Sequence, residues 1–129
     1  MQGACDIRST IQTPSASWRI SFAQIKKEIL GEQYALSVVI CGDTLAERLN
    51  RTYRNKTYKP NVLSFPLDKT SGEIFLNVRK AEREAKEMKI STRSRIALLF
   101  VHACFHLKGY DHGDLMEKKE QTILKKFGF

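Results

Sequence analysis

All three histidines of this 129-residue chain lie in one short stretch, VHACFHLKGYDH, which spans residues 101 to 112. His102 and His106 are four residues apart, so on a helix they share a face with β-carbons roughly 5–6 Å apart. Two imidazoles at that separation can bind one ion through bonds of roughly 2.0–2.1 Å. Gly109 can adopt the left-handed conformation that ends a helix, and the chain then returns His112 towards the other two rings. The spacing predicts a three-histidine metal site with one open coordination position.

The donor set limits the metal that such a site would take. Neutral imidazoles suit zinc, nickel, copper or iron, and zinc is the usual ion at an all-histidine open site. Three neutral ligands leave the full charge of the cation, which lowers the pKa of bound water towards about 7 and attracts anionic oxygens such as phosphate. A lone histidine on an apolar helix is more often a core residue, so the prediction rests on the set of three. Asp111 is either an outer partner of one ligand or a plain turn residue.

A buried helix is predicted to carry the first two histidines. Residues 96 to 107 are apolar apart from the two imidazoles, and a helix that is apolar on all sides lies in a core. We expect this helix to begin near Ser91 or Thr92 and to end at Lys108. A last helix is expected from Asp114, as its cap, to Gly128.

Strands and helices alternate in the rest of the chain. Strands are predicted at the start, up to about residue 8, at 35–41, at 61–65 and at 73–78; helices are predicted over 14–30, 43–54 and 79–88. Asp43 is expected to cap the helix over 43–54, with Leu45 and Leu49 on its inner face, and Pro66 to stop the strand before it. These elements predict one α+β domain, residues 1–129, with a single-layer sheet packed with helices.

The charge of the chain predicts an anionic partner. There are 22 Lys and Arg against 14 Asp and Glu, a net charge of +8, and nucleic acid is the commonest partner of such a protein. The excess is concentrated in RLNRTYRNKTYK, residues 48–59, which contains five basic residues and no acid.

Other features of the composition bear on the compartment. Three widely spaced cysteines without a C-x-x-C pair argue against a disulfide scaffold. No secretory signal is visible, and the longest apolar run is shorter than the roughly 20 residues of a membrane span. We therefore expect a cytoplasmic protein with no membrane partner.

The spacing H-x-x-x-H-x-x-G-x-x-H coincides with the metzincin protease motif, H-E-x-x-H-x-x-G-x-x-H. Those enzymes place their general-base glutamate where this chain has Ala103. Because alanine cannot accept a proton, ordinary zinc-protease chemistry lacks its base here. The sequence argues against a protease.

Three blocks of the chain resemble the YbeY family, bacterial endoribonucleases also called rRNA maturation factors. The histidine stretch is similar to the family signature H-x-x-x-H-x-x-G-Y-D-H; LNRTYRNKTYKPNVLSFP (49–66) is similar to LN-x-x-YR-x-K-D-x-P-T-D-VLSFP; and SGEIFLN (71–77) is similar to the GDI strand. The blocks occur in the family's order and cover most of the chain from about residue 35. Thr57, Asn61 and Glu73 depart from the pattern at positions where the family usually has aspartate, which leaves open any role of those acids in the cleft.

The resemblance implies a fold and an activity. It implies a mixed sheet of about four strands with helices against it, including a zincin-like helix that carries the metal site. It also implies a zinc-like ion on the three histidines and cleavage of single-stranded RNA, in ribosomal RNA maturation and ribosome quality control. The implied partners are single-stranded ribosomal RNA and either the small ribosomal subunit or an assembly GTPase, with no DNA expected.

A mechanism and a set of site residues follow from the motif. Arg54 matches the arginine thought essential in the family. We expect water on the metal to attack a phosphodiester, without a nearby glutamate to help, while the planar fork of Arg54 stabilises charge on the phosphoryl oxygens. The residues expected to bind the RNA strand are Arg51, Lys56, Lys59 and Ser64, with Tyr53 or Tyr58 stacking on bases.

Two other functions remain open from the sequence. One is a metal-dependent hydrolase of another substrate, including peptides, against which the missing glutamate at position 103 argues. The other is a non-catalytic ribosome-assembly module whose metal is structural and whose basic patch only binds RNA. The open coordination position argues against that second alternative.

Overall fold

A mixed four-stranded sheet and the helices around it form the fold in the computed structural model, which describes residues 3–12 and 15–129. The elements in chain order are β1 Cys5–Ser9, α1 Ser15–Trp18, α2 Phe22–Leu30, β2 Ala35–Cys41, α3 Asp43–Arg54, β3 Val62–Asp68, β4 Ser71–Asn77, α4 Val78–Met88, α5 Thr92–Lys108 and α6 Asp114–Lys126. The strand order is β1-β2-β4-β3; β1, β2 and β4 are parallel, and β3 is antiparallel to β4. The predicted α+β class with a small mixed sheet is confirmed.

Helix α5 is the centre of the core, as its composition predicts. Most of its apolar side chains are buried, Leu98 and Leu107 being half-buried, and it packs against α2, α4, α6, β3 and β4. Phe100 is fully buried and meets the ring of Phe22 edge to face, with centroids 4.9 Å apart. Replacing such a phenylalanine by alanine typically costs about 3–5 kcal/mol of stability. The helix that carries two histidines is therefore held rigidly from several directions.

The helix expected over 14–30 is two helices. Pro14 lies outside the described residues, α1 ends at Trp18, and α2 begins at Phe22 after the Ile20 carbonyl accepts the Phe22 N–H at 2.9 Å. The break lets Trp18 and Ile20 both enter the core, at 5% and 7% exposure. A single helix would place these two residues about 200° apart around its axis, so only one of them could be buried.

Strand β3 continues past Pro66, contrary to the prediction that this proline would stop it. Pro66 pairs with Gly72 of β4, and the register shifts between Pro66 and Asp68. Because β3 is an edge strand, one side of its backbone has no strand partner, and a missing N–H there disrupts no ladder. The sequence identified the proline but not the position of its strand in the sheet.

Helix α3 also differs from its prediction at the start and on the inner face. Gly42 is the N-cap, and the Asp43 carboxylate instead accepts hydrogen bonds from Arg83 and Asn77, each at 2.9 Å. The bond with Arg83, together with that of Asn77, lowers the pKa of Asp43 to about 2. The buried residues of α3 are Ala46 and Asn50, whereas Leu45 and Leu49 are half-buried.

Asn50 anchors the loop that follows α3. Its side chain is fully buried, and its amide Nδ2 donates to the Tyr58 carbonyl at 3.0 Å. A buried amide needs such a partner, so the bond fixes the loop between α3 and β3 to the helix.

Within the described part of the chain, none of the helices combines the length and the apolarity that crossing a bilayer requires.

Candidate metal centre

Helix α5 and the turn after it bring the three imidazoles together. The Nε2 atoms of His102 and His106 are 3.1 Å apart, and one nitrogen from each of the three rings lies within 4.8 Å of the others. Gly109 ends the helix in the left-handed region with φ 107°, and the amides of Gly109 and Tyr110 bond back to the carbonyls of His106 and Phe105. This turn reverses the chain and places the ring of His112 4.8 Å from that of His102 and 4.6 Å from that of His106, between centroids.

The other ring nitrogens are held by acceptors. Nδ1 of His102 donates to Oε2 of Glu120 at 2.5 Å, and Nδ1 of His106 donates to the Tyr110 carbonyl at 3.1 Å. We assign the protons to Nδ1 because a carbonyl or an ionised carboxylate can only accept. The Nε2 atoms of His102 and His106, which lie 3.1 Å apart, then keep their lone pairs for a ligand. Carboxylate and carbonyl partners of this kind orient histidine ligands in metal sites.

These observations fit a transition-metal ion. Two nitrogens bound tetrahedrally to one ion lie about 3.3 Å apart when the bonds are roughly 2.0–2.1 Å long, close to the 3.1 Å between the Nε2 atoms. Burial of His106, followed by the positive charge that His102 can carry, lowers the pKa of His106. The neutral form that a metal requires is therefore available at a lower pH than for an exposed imidazole.

Glu120 is a candidate site residue that the sequence analysis missed. It lies on α6 between Met116 and Leu124, which are both buried one turn away on the same face. Its own exposure is only 6%, which is unusual for a carboxylate unless it has a partner. The signal was present in the sequence: a glutamate occupies a position in the apolar stripe of an amphipathic helix, 18 residues after the histidine that it contacts. Asp111, the acid considered for this role, is exposed.

A cleft of about 540 Å³ runs over the histidines, between α5, α6, α4 and the loop from α3 to β3. All three histidines and Arg54 line it. Glu117 and Glu120 also line it, so the expectation that no glutamate would lie nearby is wrong: α6 supplies two carboxylates that the local motif could not reveal. The sequence analysis also missed Lys80 and Arg95 as cleft residues.

The residues predicted to bind RNA are less closely grouped. Arg51, Lys56 and Lys59 are exposed and lie within five residues of Arg54 in the chain, but they do not line the cleft. Nη1 of Arg51 lies 3.7 Å from Oε1 of Glu47. Ser64 is half-buried on β3, opposite Ile74 of β4, and does not line the cleft either. The structure thus brings Arg54 together with the histidines and leaves the other four outside the cleft.

The three departures from the family pattern occupy different surroundings. Asn61 lines the cleft and donates from Nδ2 to Oε1 of Glu84 at 3.2 Å. Glu73 accepts a hydrogen bond from Ser37 at 3.3 Å, on the face of the sheet that also carries Phe65. Thr57 is exposed in the loop. Of the three, only Asn61 can contact a molecule bound in the cleft.

Comparison with known proteins agrees with the geometry of the site. The family model described as endoribonuclease YbeY matches residues 7–128. A protein of Alkaliphilus metalliredigens with the same description is 36% identical over 111 residues, 74% of this chain and 72% of the relative. One of Finegoldia magna, also described as endoribonuclease YbeY, is 35% identical over 114 residues, 79% of this chain and 74% of the relative.

A solved structure matches the fold. The solution structure of a Thermotoga maritima protein superposes with a TM-score of 0.71 at 20% identity, and the match covers 96% of this chain and 89% of the other. At that identity the likeness supports the fold alone. The family model and the relatives carry the assignment, and this chain belongs to the endoribonuclease YbeY family.

Proposed function

We propose that this chain is a metal-dependent endoribonuclease that cleaves single-stranded RNA in ribosomal RNA maturation and ribosome quality control. The observation that carries the proposal is the convergence of three imidazole nitrogens in a cleft that Arg54 also lines. Membership of an endoribonuclease family supports the reaction class and the RNA substrate. We assign the activity to one domain over residues 1–129, acting in the cytoplasm.

His102, His106 and His112 would hold the metal. All three donors are imidazole nitrogens, a set that favours zinc and also accepts nickel or another divalent transition metal. Such an ion supplies Lewis acidity towards a phosphoryl oxygen and lowers the pKa of water. Glu120 and the Tyr110 carbonyl keep two of the rings in the orientation and tautomer that binding needs.

Arg54 is the residue that we propose stabilises the substrate's phosphoryl charge. Its side chain is exposed at the end of α3 and lines the cleft with the histidines. A guanidinium presents a planar fork of N–H donors that matches two phosphate oxygens at once, and it keeps its charge at every physiological pH. Donors aimed at developing charge typically contribute about 10²–10³ in rate.

Outside the cleft, we propose that basic and hydroxyl side chains guide the RNA strand. Arg51, Lys56 and Lys59 belong to the acid-free segment around Arg54, and Ser64 follows on β3. Contacts of this kind hold the backbone without reading sequence. The net charge of +8 supports binding to ribosomal RNA, and the small ribosomal subunit or an assembly GTPase are the protein partners that we propose.

The test pairs elemental analysis with RNA digestion, comparing the native chain with His112→Ala and Arg54→Ala. We expect about one metal ion per native chain and cleavage of single-stranded RNA. His112→Ala should lose both, whereas Arg54→Ala should keep the metal and lose cleavage. The matched control is Lys86→Gln, which removes a positive charge from an exposed position on α4 away from the cleft. Metal-free native protein that cut RNA at the normal rate would refute the proposal.

A further inference from the structure

Arg95 extends the positive character of the cleft away from the histidines. It precedes His102 by seven residues on α5, which is two helical turns or roughly 10 Å along the axis, so both side chains project from the same face. Both line the same cleft. The surface between them is apolar and is formed by Leu98 and Leu99. A strand bound at the histidines and lying along α5 would reach Arg95.

The guanidinium of Arg95 is held in place before any ligand arrives. Its Nε donates to Oε1 of Glu84 at 3.0 Å, and a terminal nitrogen lies 3.0 Å from the same oxygen. Asn61 donates to Glu84 as well, so a second residue holds the carboxylate. The side chain of Arg95 is only 15% exposed. Arginine has five N–H donors, and this arrangement leaves several of them for a ligand in the cleft.

Lys80 and Tyr58 complete the same end of the cleft. Lys80 lies one turn before Glu84 on α4, and its Nζ donates to the Lys59 carbonyl and lies 5.8 Å from the centre of the Tyr58 ring. Tyr58 is 52% exposed, although its carbonyl is fixed by buried Asn50. An aromatic ring that is open on one side and held at its backbone is a ready stacking surface for a base.

The charges and the aromatic ring together specify a ligand. Lys80 and Arg95 carry two positive charges against the one negative charge of Glu84, so this end of the cleft favours an anion. A phosphate next to a planar aromatic group satisfies both the cations and the exposed ring. We infer that Tyr58, Lys80 and Arg95 form a second nucleotide-binding position, the distal subsite, in which the two cations hold a phosphate of the RNA strand and Tyr58 stacks on the adjoining base.

The distal subsite rests on the proposed function, because it takes a further nucleotide of the strand that is cut at the histidines. The test measures binding rather than cleavage. A fluorescein-labelled single-stranded RNA octamer is titrated with the full chain in the presence of a chelator, over a series of salt concentrations. The variants are Lys80→Gln, Arg95→Gln, Tyr58→Phe and Tyr58→Leu, with Lys86→Gln as the control of equal charge change on α4 outside the cleft.

Each cation and the ring should leave a different signature. Lys80→Gln and Arg95→Gln should each weaken binding roughly tenfold, as expected for losing a hydrogen bond to a charged group. Each should also reduce the slope of log affinity against log salt by about 0.7, the value for one lost phosphate contact on a single strand. Tyr58→Leu should weaken binding roughly five- to a hundredfold at an unchanged slope, and Tyr58→Phe should bind like the native chain.

A series of octamers, each lacking the base at one position, locates the stacked base. When the missing base is the one that stacks on Tyr58, Tyr58→Leu should no longer weaken binding. The inference is overturned if the slope of log affinity against log salt for Lys80→Gln and the slope for Arg95→Gln both equal the slope for Lys86→Gln. Arg95→Gln also removes a partner of Glu84, so thermal unfolding of each variant is recorded, and Lys80→Gln decides the outcome if Arg95→Gln does not fold. Native chain that binds RNA in this way but does not cut it when loaded with metal would refute the proposed function and leave the distal subsite standing.

Discussion

Replacing Glu120 by glutamine isolates the contribution of one buried carboxylate to the metal centre. The substitution keeps the shape of the side chain and removes its charge, so the 2.5 Å contact with Nδ1 of His102 becomes a weaker neutral hydrogen bond. The glutamate side chain is 8% exposed, so solvent screens this contact little. Removing an outer partner of a histidine ligand typically lowers metal affinity about 10–100-fold, which corresponds to about 1.4–2.7 kcal/mol.

Competition with a chromophoric chelator measures this affinity directly, with zinc as the ion and at neutral pH. Glu117→Gln is the matched control, since it removes the same charge from the same helix and cleft. Among the described residues, Glu117 is exposed and makes no hydrogen bond or ion pair with a histidine, unlike Glu120. We expect the control to change zinc affinity less than about threefold because solvent screens an exposed charge. Equal losses in the two variants would show that general electrostatics, not orientation of His102, is what Glu120 provides.

Three further predictions address the turn, the acid stability and the cleft arginine. Gly109→Ala should cost about 1–2 kcal/mol of stability because φ is 107°, and it should also weaken zinc binding. The comparison variant is Gly31→Ala, at φ 93° and outside the residues that line the cleft; it should cost at least as much in chemical denaturation and leave zinc binding unchanged. Asp43→Asn should lose about 1–2 kcal/mol of stability at pH 7 and almost nothing below about pH 2. The lowered pKa of Asp43 makes its bond with Arg83 fully stabilising above about pH 4, and this contribution is lost as the pH falls through about 2. A pH-independent difference between the two proteins would contradict this reasoning. Arg54→Ala should lower kcat for RNA cleavage about 10²–10³-fold without reducing zinc content, and a loss confined to KM would assign Arg54 to binding alone.

The sequence predicted the elements whose signals are local. Helix α5 begins after Ser91 and ends at Lys108 as expected, because a capping serine, an apolar run and the glycine at position 109 follow one another in the chain. The approach of His112 to the other two rings was also accessible, since it depends on one turn. Strand β2 followed from its β-branched apolar composition.

Features that depend on distant partners were not predictable in the same way. The sequence around Asp43 is compatible with a cap of α3, but Arg83 and Asn77 bind its carboxylate instead. Both donors lie far along the chain, so the residues next to Asp43 do not indicate them. Glu117 reaches the cleft from α6, across a turn whose direction the sequence does not specify. Glu120 is different: its place in an apolar stripe marked it as a buried charge in need of a partner.

The proline in β3 affects how copies of this protein meet in solution. An edge strand offers free backbone groups to any extended segment, and a second molecule that added its own edge there would begin a continuous intermolecular sheet. Pro66 removes one donor from that edge, and the register shift before Asp68 bends the strand just where Leu67 is 65% exposed. A strand from a second molecule could not pair along the whole edge of β3. Leu67 can therefore be exposed at the edge of the sheet without nucleating polymerisation.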